Sequence, residues 1–98
     1  MVREIIWSEK AAFERKEILN YWIARNKSNS YNKKLNNLFQ NNIRLIVEFP
    51  DLGTETDVPN VRVRVVNVYL IFYEVVEDEI WILCIWDGRR NPENLKIK

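Results

Sequence analysis

The sequence predicts an α+β protein with its elements in the order β-α-α-β-β-β, an antiparallel sheet packed against an N-terminal helical hairpin. Three observations carry this expectation. In the first half, apolar residues recur at three- and four-residue spacing, as on amphipathic helices. A loop with two of the three prolines and one of the two glycines then intervenes. After it the apolar period falls to two, the period of strands.

The first element, "REIIW" (3–7), is short, β-branched and aromatic, hence a strand, and Ser8 is placed to cap a helix beginning at Glu9. From Glu9 to about Asn26, Ala11, Ala12, Ile18, Leu19, Trp22 and Ile23 form one stripe, while Lys10, Glu14, Lys16 and Glu17 stay polar. "NKSNS" is a linker with capping residues. Tyr31, Leu35, Leu38, Phe39, Leu45, Ile46 and Phe49 make a second stripe that Pro50 ends. Residues 50–60, "PDLGTETDVPN", read as a loop. "VRVRV" alternates strictly, with Val61, Val63 and Val65 on one face and Arg62 and Arg64 on the other. "NVYLIFYEVV" and "EIWILCIW" are apolar on both faces, as central strands are, with "EDE" as the turn between them. The first strand is expected to join the same sheet, with the helices on one face.

Composition narrows the chemistry. With 47% apolar and 30% charged residues in 98, the chain suits one globular domain near the small end of what a single core supports. No apolar run approaches the roughly 20 residues of a membrane span, and the N-terminus lacks a secretory pattern, so the expectation is a cytoplasmic protein with no membrane partner. Cys84 is the only cysteine and histidine is absent. Internal disulfides and the usual zinc sets are thereby excluded, as is the side chain that ordinarily titrates near neutrality. Cys84, within "IWILCIW", reads as a small core residue. No metal site and no cofactor are expected: the acidic stretches 51–57 and 74–79 lack the ligand spacing of a calcium loop and read as solvated turns. Glycine-rich phosphate loops and Ser/His/Asp sets are missing too.

Two features remain. Arg62 and Arg64 leave one strand, and Arg89 and Arg90 end another; with a net charge of only +1, their placement matters more than their number. Either they converge into a basic patch suited to phosphate or an acidic peptide, or they are solvated arginines on a strand and in a turn. Tyr69, Tyr73, Trp81 and Trp86 are either stacking surfaces or packing for the core or a partner, Trp86 being nearest the charged rim.

The sequence resembles the RelE/ParE family of bacterial type II toxins. The likeness lies in the element order, in "FPDLG" after the second helix, and in "VRVRVVNVYLIFYEVVEDEIWILCIWDGRRNPENL", where Arg62, Arg64, Tyr69, Tyr73, Arg89, Arg90 and Pro92 fall on family positions. The resemblance implies a growth inhibitor neutralised by a cognate antitoxin in a hetero-oligomer. RelE-like members cut messenger RNA on the ribosome; ParE-like members inhibit DNA gyrase. If the chain is a ribonuclease, the resemblance assigns catalysis to Arg90 with Arg62 and Arg64. As a binding protein, its contact residues are Arg89, Arg90, Trp86 and Tyr69.

The departures favour the second role. Leu70 stands where the ribonucleases carry a second catalytic arginine, and Lys96 where they carry a tyrosine. The near-neutral charge also suits a ribosome binder poorly, because phosphate contacts dominate that affinity. The expectation is a ParE-like or non-nucleolytic toxin. Ribosome-dependent cleavage and an inactive, antitoxin-binding member stand as alternatives.

Overall fold

The computed structural model describes residues 3–26 and 29–97. A strand β1 (Glu4–Trp7) leads into helix α1 (Glu9–Asn26) and helix α2 (Ser30–Glu48); strands β2 (Thr54–Glu55), β3 (Val61–Val66), β4 (Tyr69–Val76) and β5 (Glu79–Asp87) come next, and a 3-10 turn, Pro92–Asn94, begins the tail.

Local chemistry sets the boundaries. Ser8 caps α1 as expected, its Oγ accepting from the Ala11 amide at 3.0 Å, and the same hydroxyl donates to the Leu83 carbonyl at 3.0 Å, tying the helix start to β5. Of the expected linker, Lys27 and Ser28 lie outside the described residues, and Asn29 takes the N-cap position of α2 without a side-chain bond. Phe49 ends α2 in a non-helical conformation, since the residue before a proline is driven from the helical region. The loop over residues 50–60 contains one short strand that its composition did not announce: β2 pairs with β3 over two residues.

The sheet order is β1-β5-β4-β3-β2. β2 to β5 are antiparallel neighbours, but β1 lies parallel to β5, Glu4 to Trp7 facing Glu79 to Ile82, so the sheet is mixed where the sequence suggested antiparallel throughout. The reason is the edge that β1 reaches. Parallel neighbours need a long crossover, and the intervening helices and strands provide it. The doubly apolar strands β4 and β5 are the inner ones, as expected. Between them, Phe72 faces Cys84 and Tyr73 faces Ile82, leaving Leu83 of β5 as an inserted residue in a β-bulge. Leu83 and Cys84 therefore both join the same face.

Each face of the sheet has its own core. The helix side buries Ala11, Leu35, Phe39 and Ile46 against Tyr69, Ile71, Tyr73, Ile80 and Ile82. The opposite face gathers Val61, Phe72, Cys84 and Trp86, covered by Val58 from the loop and by Leu95 and Ile97 from the tail. Past the end of β1, α1 takes over the edge of β5: Glu14 Oε1 accepts from the Ile85 amide at 3.1 Å, satisfying a donor that an open edge would leave bare.

Candidate functional site

The rim where β5 ends is built on a tight turn. Gly88 donates its amide to the Val68 carbonyl at 2.8 Å, docking the turn on the β3–β4 hairpin, and a Cβ at Gly88 would stand 2.9 Å from that oxygen. Asn67 allows the hairpin its reversal by adopting φ 56°, a conformation asparagine tolerates. Arg90 donates its amide to the Asp87 carbonyl at 3.0 Å, so both arginines leave a fixed backbone.

Their side chains then part. Arg89 grips Asp87 with a fork, Nε to Oδ1 at 3.0 Å and Nη2 to Oδ2 at 2.8 Å, and this bonding holds the Asp87 carboxyl below its ordinary range. Asp87 pairs in register with Tyr69, on the helix side. Arg90 instead lies over the Trp86 ring, 4.6 Å from its centre, on the opposite face. Trp86 is 5% exposed, and the row Val65–Leu70–Trp86 crosses the sheet beside it, with Val65 60% exposed. The result is a cation resting on the aromatic end of a row that continues through aliphatic side chains. Arg90 has no carboxylate partner among the described residues.

The strand arginines are elsewhere. Arg62 and Arg64 face the helix side of β3: Arg64 Nε donates to Asn42 Oδ1 of α2 at 3.0 Å, and Arg62 Nη1 donates to the Gly53 carbonyl at 2.7 Å. Arg62 also reaches Glu55 at 3.3 Å and Asp51 at 3.6 Å. The structure therefore does not gather Arg62, Arg64 and Arg90. The sheet stands between them, and Arg62 is engaged in clasping the loop.

Tyr69 is also withdrawn from any contact surface. It is 2% exposed, its hydroxyl accepts from Trp22 Nε1 at 2.7 Å, and Phe39 meets it edge-on at 5.7 Å. Tyr73, wholly buried, donates its hydroxyl to the Pro50 carbonyl at 2.7 Å and accepts from the Gly53 amide at 2.8 Å. Leu70 and Trp86 share the open-face core, and Lys96 is exposed on the tail. Cys84 is buried beside Lys10 Nζ (3.2 Å) and Glu14 Oε2 (3.8 Å), and burial pushes its thiol up to about 11, so it is no nucleophile.

Sequence reasoning passed over Gly88 and Val65. The Asp-Gly pair at 87–88 signals the turn; nothing in the sequence says that Val65 would stay exposed in the same cross-strand row as Trp86, since that depends on how far the tail covers the face.

Comparison with known proteins agrees with this architecture. A family model described as "ParE toxin of type II toxin-antitoxin system, parDE" matches residues 5–92. Among curated proteins no match was found. Among solved structures, a chain of the "Chromosomal ParDE TA system from P. aeruginosa" superposes with a TM-score of 0.72 at 19% identity, covering 86% of this chain and 94% of that one. With the family model spanning nearly the whole sequence and the two-helix, five-strand fold shared, the chain belongs to the ParE toxin family of type II toxin-antitoxin systems.

Proposed function

We propose that this toxin arrests growth in the cytoplasm by binding DNA gyrase through the β5 rim, without cutting RNA, and that a cognate antitoxin neutralises it. The observation that carries this reading is the division of the arginines across the sheet. Cleavage of a phosphodiester without histidine requires several cations aimed at one phosphate. Here Arg62 is tied to the loop, Arg64 to α2 and Arg89 to Asp87, which leaves Arg90 as a single cation on Trp86. A lone arginine over an aromatic ring, at the end of the cross-strand row that runs through Leu70 to exposed Val65, has the composition of a protein-contact hot spot.

Expression in bacterial cells tests the proposal. The wild type should arrest growth and Arg90→Ala should relieve it, while Arg89→Ala, whose guanidinium already has a partner, should weaken arrest less. In a purified supercoiling assay Arg90→Ala should raise the inhibitory concentration about tenfold, a hot-spot loss. Arrest with intact supercoiling and codon-positioned cuts in messenger RNA would sink this reading in favour of ribosomal cleavage.

A further inference from the structure

The turn that builds the rim contains a chemically fragile bond. In an Asp-Gly pair the glycine nitrogen, unhindered by a Cβ, can attack the aspartate's own Cγ. A bond forms between that nitrogen and Cγ, the nitrogen gives up its proton, and the carboxylic acid gives up its hydroxyl, so that water leaves and a five-membered succinimide closes. Water then adds to one of the two imide carbonyls. Opening one side restores the ordinary peptide; opening the other leaves a β-aspartyl link, with one extra methylene in the main chain.

Of the two glycines, Gly88 is the one that follows an aspartate, and the fold requires it there. Any other residue would bring a Cβ to 2.9 Å from the Val68 carbonyl oxygen, a backbone atom that cannot step aside. Water also reaches the pair: Gly88 is exposed, and the Asp87 side chain keeps 22% of its surface.

The folded turn opposes each step of this chemistry. The Gly88 amide is committed to the Val68 carbonyl at 2.8 Å, which fixes its peptide plane. The Asp87 carboxylate is drawn toward residue 89, Oδ1 accepting from the Arg89 amide at 2.9 Å and from Nε at 3.0 Å, and Oδ2 from Nη2 at 2.8 Å. The same bonding holds the carboxyl below its ordinary range, and an ionised carboxylate has no hydroxyl to lose. Two of the three bonds come from one side chain that is itself 54% exposed.

We propose that Asp87-Gly88 is a latent isoaspartate site and that Arg89 guards it, the guanidinium fork holding the Asp87 carboxyl away from the Gly88 nitrogen. The added methylene would fall at the last paired residue of β5, ending the register that seats Gly88 on Val68 and Arg90 on Trp86. Release of the fork therefore disarms the rim, a consequence that rests on the rim being the contact surface.

Ageing of the full-length protein tests the proposal. Wild type, Arg89→Ala, Arg89→Lys and Tyr73→Phe are held at neutral pH, below their melting transitions, and sampled over weeks; wild type in urea reports the unguarded pair. The β-aspartyl bond is counted by methyl transfer from S-adenosylmethionine with an isoaspartyl methyltransferase and assigned to residue 87 by peptide fragmentation. Arg89→Ala should accumulate it at least about tenfold faster than folded wild type, the effect of losing a charge-assisted fork. Arg89→Lys, which keeps the charge without the fork, should fall between them. Tyr73→Phe, loosened far from the rim, should stay near the wild-type rate, because the opening is local. Equal rates in wild type and Arg89→Ala overturn the guard. Equal rates in Tyr73→Phe and Arg89→Ala overturn it too, by tracing the ageing to global unfolding, as does a folded wild type that ages as fast as the chain in urea. Aged Arg89→Ala should lose the supercoiling inhibition that fresh protein retains. A β-aspartyl bond with inhibition unchanged would refute the rim as contact surface and leave the modification site standing.

Discussion

Replacing Tyr73 with phenylalanine removes one oxygen from the centre of the loop clasp. That hydroxyl donates to Pro50 and accepts from Gly53, whose carbonyl in turn holds Arg62. Each neutral hydrogen bond contributes about 1 kcal/mol net, and an amide left buried without a partner costs about 1–3 kcal/mol. Gly53 is buried, so its N–H cannot turn to water, whereas the Pro50 carbonyl, half-buried, can. The expected loss is about 2–4 kcal/mol, which lowers the melting temperature of a chain this size by about 10–20 °C. Urea unfolding monitored by tryptophan fluorescence measures it, with an unchanged m-value if the native fold is kept. Arg62→Met should be less than additive with Tyr73→Phe, because both act on the same segment. A Tyr73→Phe loss below about 0.5 kcal/mol would refute the clasp. If the clasp holds, reduced toxicity in an Arg62 variant reports a loosened loop and not a lost target contact.

Two other outcomes come from the geometry. Glu14→Ala orphans the Ile85 amide and removes the carboxylate beside Lys10, so stability should fall by about 1–3 kcal/mol and the Ile85 amide should exchange faster with solvent. Cys84 is protonated more tightly in the folded state, with a thiol raised from 9.0 to about 11; its contribution is therefore complete below pH 9 and is lost as pH rises through about 11. Tyr69 and Tyr73 are raised as well, by burial, and add to the loss above pH 10. Cys84→Ala should flatten the decline between pH 9 and 11 by about 2–3 kcal/mol, and the wild-type thiol should react with a disulfide reagent only as fast as the protein unfolds.

Much of the fold was legible in the sequence, and the exceptions have physical causes. Period and punctuation delimit both helices and the three long strands, because one buried face imposes its spacing on each. The parallel seat of β1 is not written in "REIIW", since so short a strand carries no direction; the partner across the sheet decides it. Faces are the other blind spot. "VRVRV" announces alternation, and it holds, but not which side the helices occupy, so Arg62 and Arg64 read as a free basic row when they are bonded to Gly53 and Asn42. For Arg89 and Arg90 adjacency in the chain suggested a pair; the turn that follows Asp87 sends them to opposite sides, one onto Asp87 and one onto Trp86.

The pairing of β1 with β5 also has a consequence in time. Glu4 faces Glu79, and Ser8 bonds to Leu83 across 75 residues of sequence. Contacts so distant along the chain must wait for their partners, and β5 is an inner strand on which both sides of the sheet depend. During synthesis, the first strand has no partner in the sheet until β5 has been made, and the Arg90 rim follows β5. A chain interrupted before β5 therefore lacks both the seat of β1 and the rim proposed for target contact, and yields only an unfinished sheet.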